Sequence, residues 1–387
     1  MIKKLDSLYL DCNASAPLLP CARQALLQHL DTYGNPSSSH ALGQQARATI
    51  DSARQTIQAT LNAQHGRFVF TSGASESNAL ALTQDWQHVL LAPTDHDSLV
   101  VHAQYTYPQT LTLLPVTKHG LLDIDALDSQ LRTIRATSQG TILLCLTWAH
   151  NEIGTYYDDA TLQAIVRLSR VYDAALHIDA AQAVGKIPVN IDGLAPQHPA
   201  LSVALSAHKV GGPKGIGGFY TTRQETRPLT YGGGQEYALR PGSEHTPAIA
   251  AFAAAVAHTH NTTAQKQWQK WRDAFEDNLQ QSLPQAVIIA RDAPRLPNTS
   301  CFALPPVLAE TMLVALDLDN IAIGKGSACA QAKNEPSRTL KAIGHDSLQS
   351  YTMRASCGMH NNKDDFDRLL AALQKNVENM SHARDRA

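Results

Sequence analysis

Seven short apolar runs mark the chain between Phe68 and Tyr220. They are Phe68-Val69-Phe70, Val89-Leu90-Leu91, Leu111 to Leu114, Ile142 to Leu146, Leu176 to Ile178, Leu201 to Leu205 and Phe219-Tyr220. Their apolar residues are continuous rather than alternating, which suits strands buried on both faces. Such strands need helices above and below. Residues 44–62 supply one helix, with Ala46, Ile50, Ala53, Ile57 and Leu61 three or four apart on one face. Asp159 to Tyr172 supplies another, with Leu162, Ile165, Val166 and Leu168 as its apolar stripe. The pattern predicts an α/β domain built on a mostly parallel, seven-stranded sheet covered by helices.

The last third changes character. Trp268, Trp271, Phe275 and Leu279 mark a long amphipathic helix. Strands are expected at Val287 to Ile289, Ser300 to Ala303 and Tyr351 to Ala355, with helices at 308–317, 337–343 and 363–378. This is the pattern of a small α+β C-terminal domain. A chain of 387 residues exceeds what one core serves, so two domains are expected. They are a large one over residues 16–255 and a small one over 256–387, to which residues 1–15 return.

Several function classes are disfavoured by composition. Formal net charge is −2, so no broad basic field draws in nucleic acid or an anionic membrane. Met1 to Asp6 lacks the apolar run of a signal peptide. The longest apolar stretch, Ala248 to Ala257, is too short to span a bilayer and reads as a packed Ala-rich helix. The six cysteines show no Cys-x-x-Cys spacing, so no zinc ribbon, other metal site or dithiol motif is expected. The expected setting is the cytoplasm, where a lone cysteine can serve as a catalytic thiol.

Three segments carry chemistry. Ser206-Ala207-His208-Lys209 ends a buried run and leads into Gly211-Gly212-Pro213-Lys214-Gly215. A partly desolvated lysine there can form a Schiff base, and the glycines let backbone approach a cofactor. Thirty residues earlier, Asp179 ends another buried run in His177-Ile178-Asp179-Ala180-Ala181-Gln182. A carboxylate so placed can keep a pyridinium nitrogen protonated, with Gln182 in reach of a ring hydroxyl. Thr71-Ser72-Gly73-Ala74-Ser75-Glu76-Ser77-Asn78 follows the first run. Strand, small-residue turn and helix start make an anion site, to which Ser75 adds a hydroxyl. Taken singly, each has an ordinary alternative: a surface lysine in a Gly-rich turn, a helix N-cap aspartate, a capped helix.

Together the three follow the order seen in fold-type-I pyridoxal-phosphate enzymes. More narrowly, the sequence resembles the cysteine desulfurases of the NifS/IscS type, within the class-V aminotransferases. The resemblance runs from Tyr9 to about Leu370. Besides the three segments it rests on Tyr9-Leu10-Asp11-Cys12-Asn13-Ala14, Gly34-Asn35-Pro36-Ser37-Ser38, His150-Asn151-Glu152-Ile153-Gly154-Thr155, Gly232-Gly233-Gly234-Gln235-Glu236 and Gly326-Ser327-Ala328-Cys329.

The resemblance implies that Lys209 holds pyridoxal 5'-phosphate, with Asp179 on its ring nitrogen and Gln182 on its ring oxygen. His96 would stack on the ring and handle protons. Ser75, Ser206 and His208 would hold the phosphate. Ser243 matches a threonine that reaches the phosphate from the partner subunit, implying a homodimer. Asn151 and Arg354 would grip the substrate carboxylate, Arg354 by a bidentate fork. Cys329 would take sulfur from L-cysteine, release L-alanine and pass the persulfide to an acceptor protein, in iron–sulfur cluster assembly or in thiolation of tRNA. Small and polar residues surround Cys329, which suits a mobile, exposed loop.

The chain departs from the family pattern at three places. His150 replaces a common asparagine, and Asp95 a common glutamate. Ser356-Cys357-Gly358-Met359-His360-Asn361 stands where Ser-Leu-Gly-Arg-Phe-Thr is usual. Rival readings are a selenocysteine lyase or cysteine sulfinate desulfinase, a class-V aminotransferase, and a non-enzymatic partner protein.

Overall fold

The structure is a computed structural model and describes residues 7–259, 263–326 and 336–384. All seven apolar runs are strands of one sheet. They are β2 (Arg67–Thr71), β3 (His88–Leu91), β4 (Leu111–Leu113), β5 (Ile142–Thr147), β6 (Ala174–Asp179), β7 (Leu201–Ser206) and β8 (Gly217–Thr221), following β1 (Leu8–Leu10) in the chain. Their order is β2-β8-β7-β6-β5-β3-β4. Every residue of β5, β6 and β7 is buried, which is why their sequences do not alternate. Only β8 runs against its neighbours, pairing antiparallel with β7 and with β2.

The helices follow their apolar stripes. Ala41–Thr60 buries Ala46, Ile50, Ala53 and Ile57, and His40 Nδ1 caps its start by accepting from the Gly43 N–H. Asp159–Val171 buries Leu162, Ile165 and Val166, and Asp158 caps it through the Thr161 N–H. The Ala-rich stretch lies within the helix Thr246–Thr259, whose Ala248, Ile249, Phe252 and Val256 join the large-sheet core.

A second sheet has the order β1-β11-β12-β10-β9, with β9 (Val287–Ile288), β10 (Thr299–Ala303), β11 (Ile321–Lys325) and β12 (Thr352–Ser356). The N-terminal strand β1 pairs in parallel with β11, and the remaining pairs are antiparallel. This sheet has its own core, in which Trp268, Phe275, Phe302, Met312, Phe366 and Leu373 are buried. The large-sheet core draws on residues up to Val256 and again on Leu296, and the second core on Leu8, Leu10 and residues from Trp268 onward. The five described cysteines are all unpaired thiols. No helix among the described residues is long and apolar enough to cross a membrane.

Candidate active site

Strands β2, β5, β6 and β7 point the same way, so their carboxyl ends lie at one edge of the sheet. The register brings the chemistry-bearing segments together there. Thr147 stands opposite Asp179, while Ser206 and Thr71 both face Gly217 from either side. Crevices at such strand ends are the usual ligand sites of α/β sheets. Here the crevice is a cavity of about 650 Å³, within the range of small-molecule sites.

Ser75, His96, Asp179, Ser206, His208 and Lys209 line it. Asn151 and Gln182 line it too. Ser243 does not, and Arg354 stands behind Asn151, outside the lining. Cys329 lies outside the described residues. The described residues flanking it in the chain, Gly326 on one side and Pro336 and Ser337 on the other, do line the cavity.

The serine turn joins β2 to the helix Ala74–Leu82, whose first N–H groups and dipole favour an anion. A Cβ at Gly217 would lie 2.6 Å from the Gly73 Cα, so only glycine lets β8 pack on this turn. His208 is held as a neutral imidazole near pKa 4, by burial and then by Lys209, Lys214 and Lys186.

Asp179 is nearly fully buried at the end of β6. One carboxylate oxygen accepts from the Ala181 N–H at 3.0 Å and the other from Asn78 Nδ2 at 2.8 Å. The Lys209 amine donates to the Asn13 carbonyl at 2.5 Å and to the Ala14 carbonyl at 3.1 Å. An anion-binding turn, an acceptor carboxylate and a primary amine on one cavity fit a phosphorylated pyridine aldehyde.

Further side chains matter that the motifs did not single out. Asn13 accepts from the Lys186 amine at 2.9 Å through its side chain, and from Gln182 Nε2 at 2.8 Å through its carbonyl. Lys186 also donates to Gln182 Oε1. Burial, with help from the Lys209 charge, pushes the Lys186 pKa far down. The signal in the sequence was weak: a lysine four residues after Gln182, on the same face of a turn. Arg354 is fully buried, donating to Asp11 Oδ1 at 2.6 Å and to Asn151 Oδ1 at 3.0 Å. A Cβ at Gly324 would lie 2.6 Å from that Asp11 oxygen, so the opposite position of β11 must be glycine.

The four buried cysteines are poor nucleophiles. Burial raises the thiol pKa of Cys145, Cys301 and Cys357, and pushes that of Cys12 to about 12. Cys12 faces a separate cavity of about 340 Å³ behind Lys209, shared with Cys357, Met359 and His360. Among the described residues, no group of three or more His, Cys, Asp or Glu side chains could hold a metal ion.

Buried imidazoles make the fold acid-sensitive. His150, His177, His198 and His208 are lowered from 6.5 to about 4, in each case chiefly by burial. Between these values the unfolded chain binds protons that the native chain does not, so stability rises with pH across the window and is lost as pH falls through it. Asp95, raised from 3.8 to about 6 by burial, and Glu152, also raised by burial, act in the opposite sense but are outnumbered by the four imidazoles. The thermal midpoint of the cofactor-free chain is expected to fall steadily from roughly pH 7 to about pH 4.5. A flat or rising midpoint in a calorimetric scan would contradict these burials.

Known proteins share this architecture. The Aminotransferase class-V family matches residues 8–369. The chain belongs to the class-V aminotransferase family. Among its relatives is the cysteine desulfurase IscS of Dictyoglomus turgidum, 32% identical over 386 residues, covering 96% of this chain and 95% of the relative. The Homo sapiens cysteine desulfurase is 31% identical over 393 residues, covering 97% and 83%. A NifS-like protein from Rickettsia africae superposes with a TM-score of 0.86 at 26% identity, over 96% of this chain and 99% of that one. SspA, solved in complex with cysteine, superposes at 0.76 with 27% identity, over 90% and 98%. Members of this family are pyridoxal-phosphate enzymes.

Proposed function

We propose that the chain is a cysteine desulfurase that moves sulfur from free L-cysteine onto Cys329 and releases L-alanine. The observation that carries this is the convergence of the serine turn, Asp179 and Lys209 on one cavity, in a chain so similar to cysteine desulfurases along nearly its whole length. The structure of SspA with cysteine supports the choice of substrate.

Lys209 would hold pyridoxal 5'-phosphate, Asp179 its ring nitrogen and Gln182 its ring oxygen, with His96 against the ring. Ser75, Ser206 and His208 would hold the phosphate, joined by Ser243 of a second subunit in a homodimer. When bound, the cofactor supplies an electron sink that weakens the bond from the substrate's β-carbon to its sulfur. Asn151 and Arg354 would grip the substrate carboxylate, Arg354 from its place behind Asn151. Lys209 Nζ would accept the α-proton and return one later. The Cys329 thiolate attacks the substrate sulfur. An S–S bond forms, the C–S bond breaks, and its electron pair stays on the three-carbon fragment, which gains a proton and leaves as alanine. The products are one alanine and one Cys329 persulfide, whose outer sulfur passes to an acceptor protein.

Cys329 follows Gly326 by three residues, and the residues flanking its segment line the cavity on both sides. That supports it as the acceptor. Unpaired thiols elsewhere suit a cytoplasmic protein. Acceptors in iron–sulfur assembly or tRNA thiolation both fit such chemistry.

The test is turnover of L-cysteine, L-selenocysteine and L-cysteine sulfinate by the chain loaded with pyridoxal phosphate. Alanine release from cysteine that depends on Cys329 is the expected result. Preference for either other substrate without need of Cys329 would favour a lyase, and transfer of the amino group to a keto acid would favour an aminotransferase.

A further inference from the structure

Asn78 lies on the helix after the serine turn and is fully buried, as is His177 in the middle of β6. Its amide nitrogen carries two hydrogens and has two acceptors. One is Asp179 Oδ2 at 2.8 Å, the other Ser98 Oγ at 2.7 Å. A carboxylate can only accept, so the nitrogen must face Asp179. The amide oxygen then faces His177 Nε2 at 2.9 Å, which must carry the ring proton. His177 Nδ1 in turn takes the Ser202 hydroxyl hydrogen at 2.8 Å. Burial lowers His177 to about 4, so this neutral tautomer holds through the physiological range.

The other branch is equally directional. Because Ser98 Oγ accepts from Asn78, its own hydrogen is directed to His96 Nδ1 at 2.8 Å. The Ser98 backbone N–H donates to the same nitrogen at 3.2 Å. A backbone N–H can only donate, so Nδ1 bears a lone pair and the imidazole proton sits on Nε2. His96 therefore starts the reaction able to give a proton from Nε2.

We propose that Asn78 is a positioning residue that supports the Asp179 carboxylate and, through the Ser98 hydroxyl, holds the His96 ring, anchored from behind by His177 and Ser202. This rests on the reading of the cavity given above and adds to it a coupling between its two proton-handling groups. A buried network whose every donor has one acceptor resists rearrangement, and loss of its hub leaves several groups unsatisfied at once. Asp179 without its Asn78 hydrogen bond holds a proton more readily and the ring nitrogen's proton less firmly. With a weaker positive charge on the ring, the visible band of the bound cofactor would titrate at higher pH.

The experiment uses the full chain loaded with pyridoxal phosphate. Asn78→Ala is expected to move the pH midpoint of the cofactor's visible band upward by about one unit, the scale of one lost hydrogen bond to a charge. It is also expected to lower kcat for cysteine by about 10- to 100-fold with KM little changed. Ser98→Ala cuts only the His96 branch, so it should leave the band's midpoint at the wild-type pH while lowering kcat about 10-fold. If Asn78→Ala folds and shows the wild-type midpoint and the wild-type kcat, the coupling is refuted. Should Asn78→Ala not fold, Ser98→Ala decides the His96 branch, and an unaltered kcat there overturns the proposal. A wild-type chain that takes up no cofactor overturns the underlying reading, and this inference with it. Uptake by wild type with no effect in the variants overturns the inference alone.

Discussion

Lys209→Ala is expected to give a folded chain that takes on no yellow colour with pyridoxal phosphate and turns over no cysteine. Lys209 follows β7 in a short 3-10 turn, and its amine touches the Asn13 and Ala14 carbonyls at the cavity wall. Those two carbonyls lie in the loop after β1, so the amine bridges the two sheets. Truncation removes a side chain at the wall and leaves β7 and its register untouched, which keeps the stability cost at about 1 kcal/mol. The chemical cost is much larger. Under the proposed function the same nitrogen would form the covalent link and move the α-proton, so both contributions would vanish together. Proton transfer alone is commonly worth up to about 10,000-fold. Absorbance spectra and alanine assays on the purified variant measure both outcomes. Wild-type colour or measurable turnover would place the covalent link on another amine, such as Lys186, which shares the second cavity with Lys209.

Cys329→Ser separates the two halves of the reaction. Every described residue that lines the cavity is unchanged, so the variant should colour normally and still bind cysteine, with a spectral change on mixing. Alanine formation is expected to fall by at least about 100-fold. A thiol with pKa near 8.5 is a few per cent thiolate at pH 7, whereas a serine hydroxyl offers no comparable nucleophile. Full-rate production of alanine and free sulfide by Cys329→Ser would remove the persulfide step from the mechanism. The buried thiols give no substitute, since Cys12, Cys145, Cys301 and Cys357 are all held protonated.

The large sheet was legible because β5, β6 and β7 are buried on both faces, and continuous apolar runs have few other uses. The pairing of β1 with β11 was less so. Leu8–Leu10 has three residues, and Ile321–Lys325 is only half covered, with a glycine where the Asp11–Arg354 pair needs room. Strand ends betrayed Asp179 and Lys209, since a charged residue closing an apolar run sits at a sheet edge. Arg354 matched a motif, but its engagement with Asp11 depends on β12 lying beside both β11 and the segment after β1. Such a neighbourhood comes from tertiary register and leaves no local trace. Asn78 was hidden for the same reason, in a helix where asparagine is unremarked. His177 did leave a mark: a polar residue inside an otherwise apolar run must find partners when buried, and its partners lead straight to Asn78.

The transfer of sulfur to Cys329 is best tested by mass spectrometry of the peptide that contains it. After brief incubation of the cofactor-loaded chain with L-cysteine and no acceptor, that peptide should gain one sulfur atom, removable by a thiol reductant, in step with one alanine released per subunit. Alanine released with Cys329 unmodified, or sulfur found on another cysteine, would contradict the account.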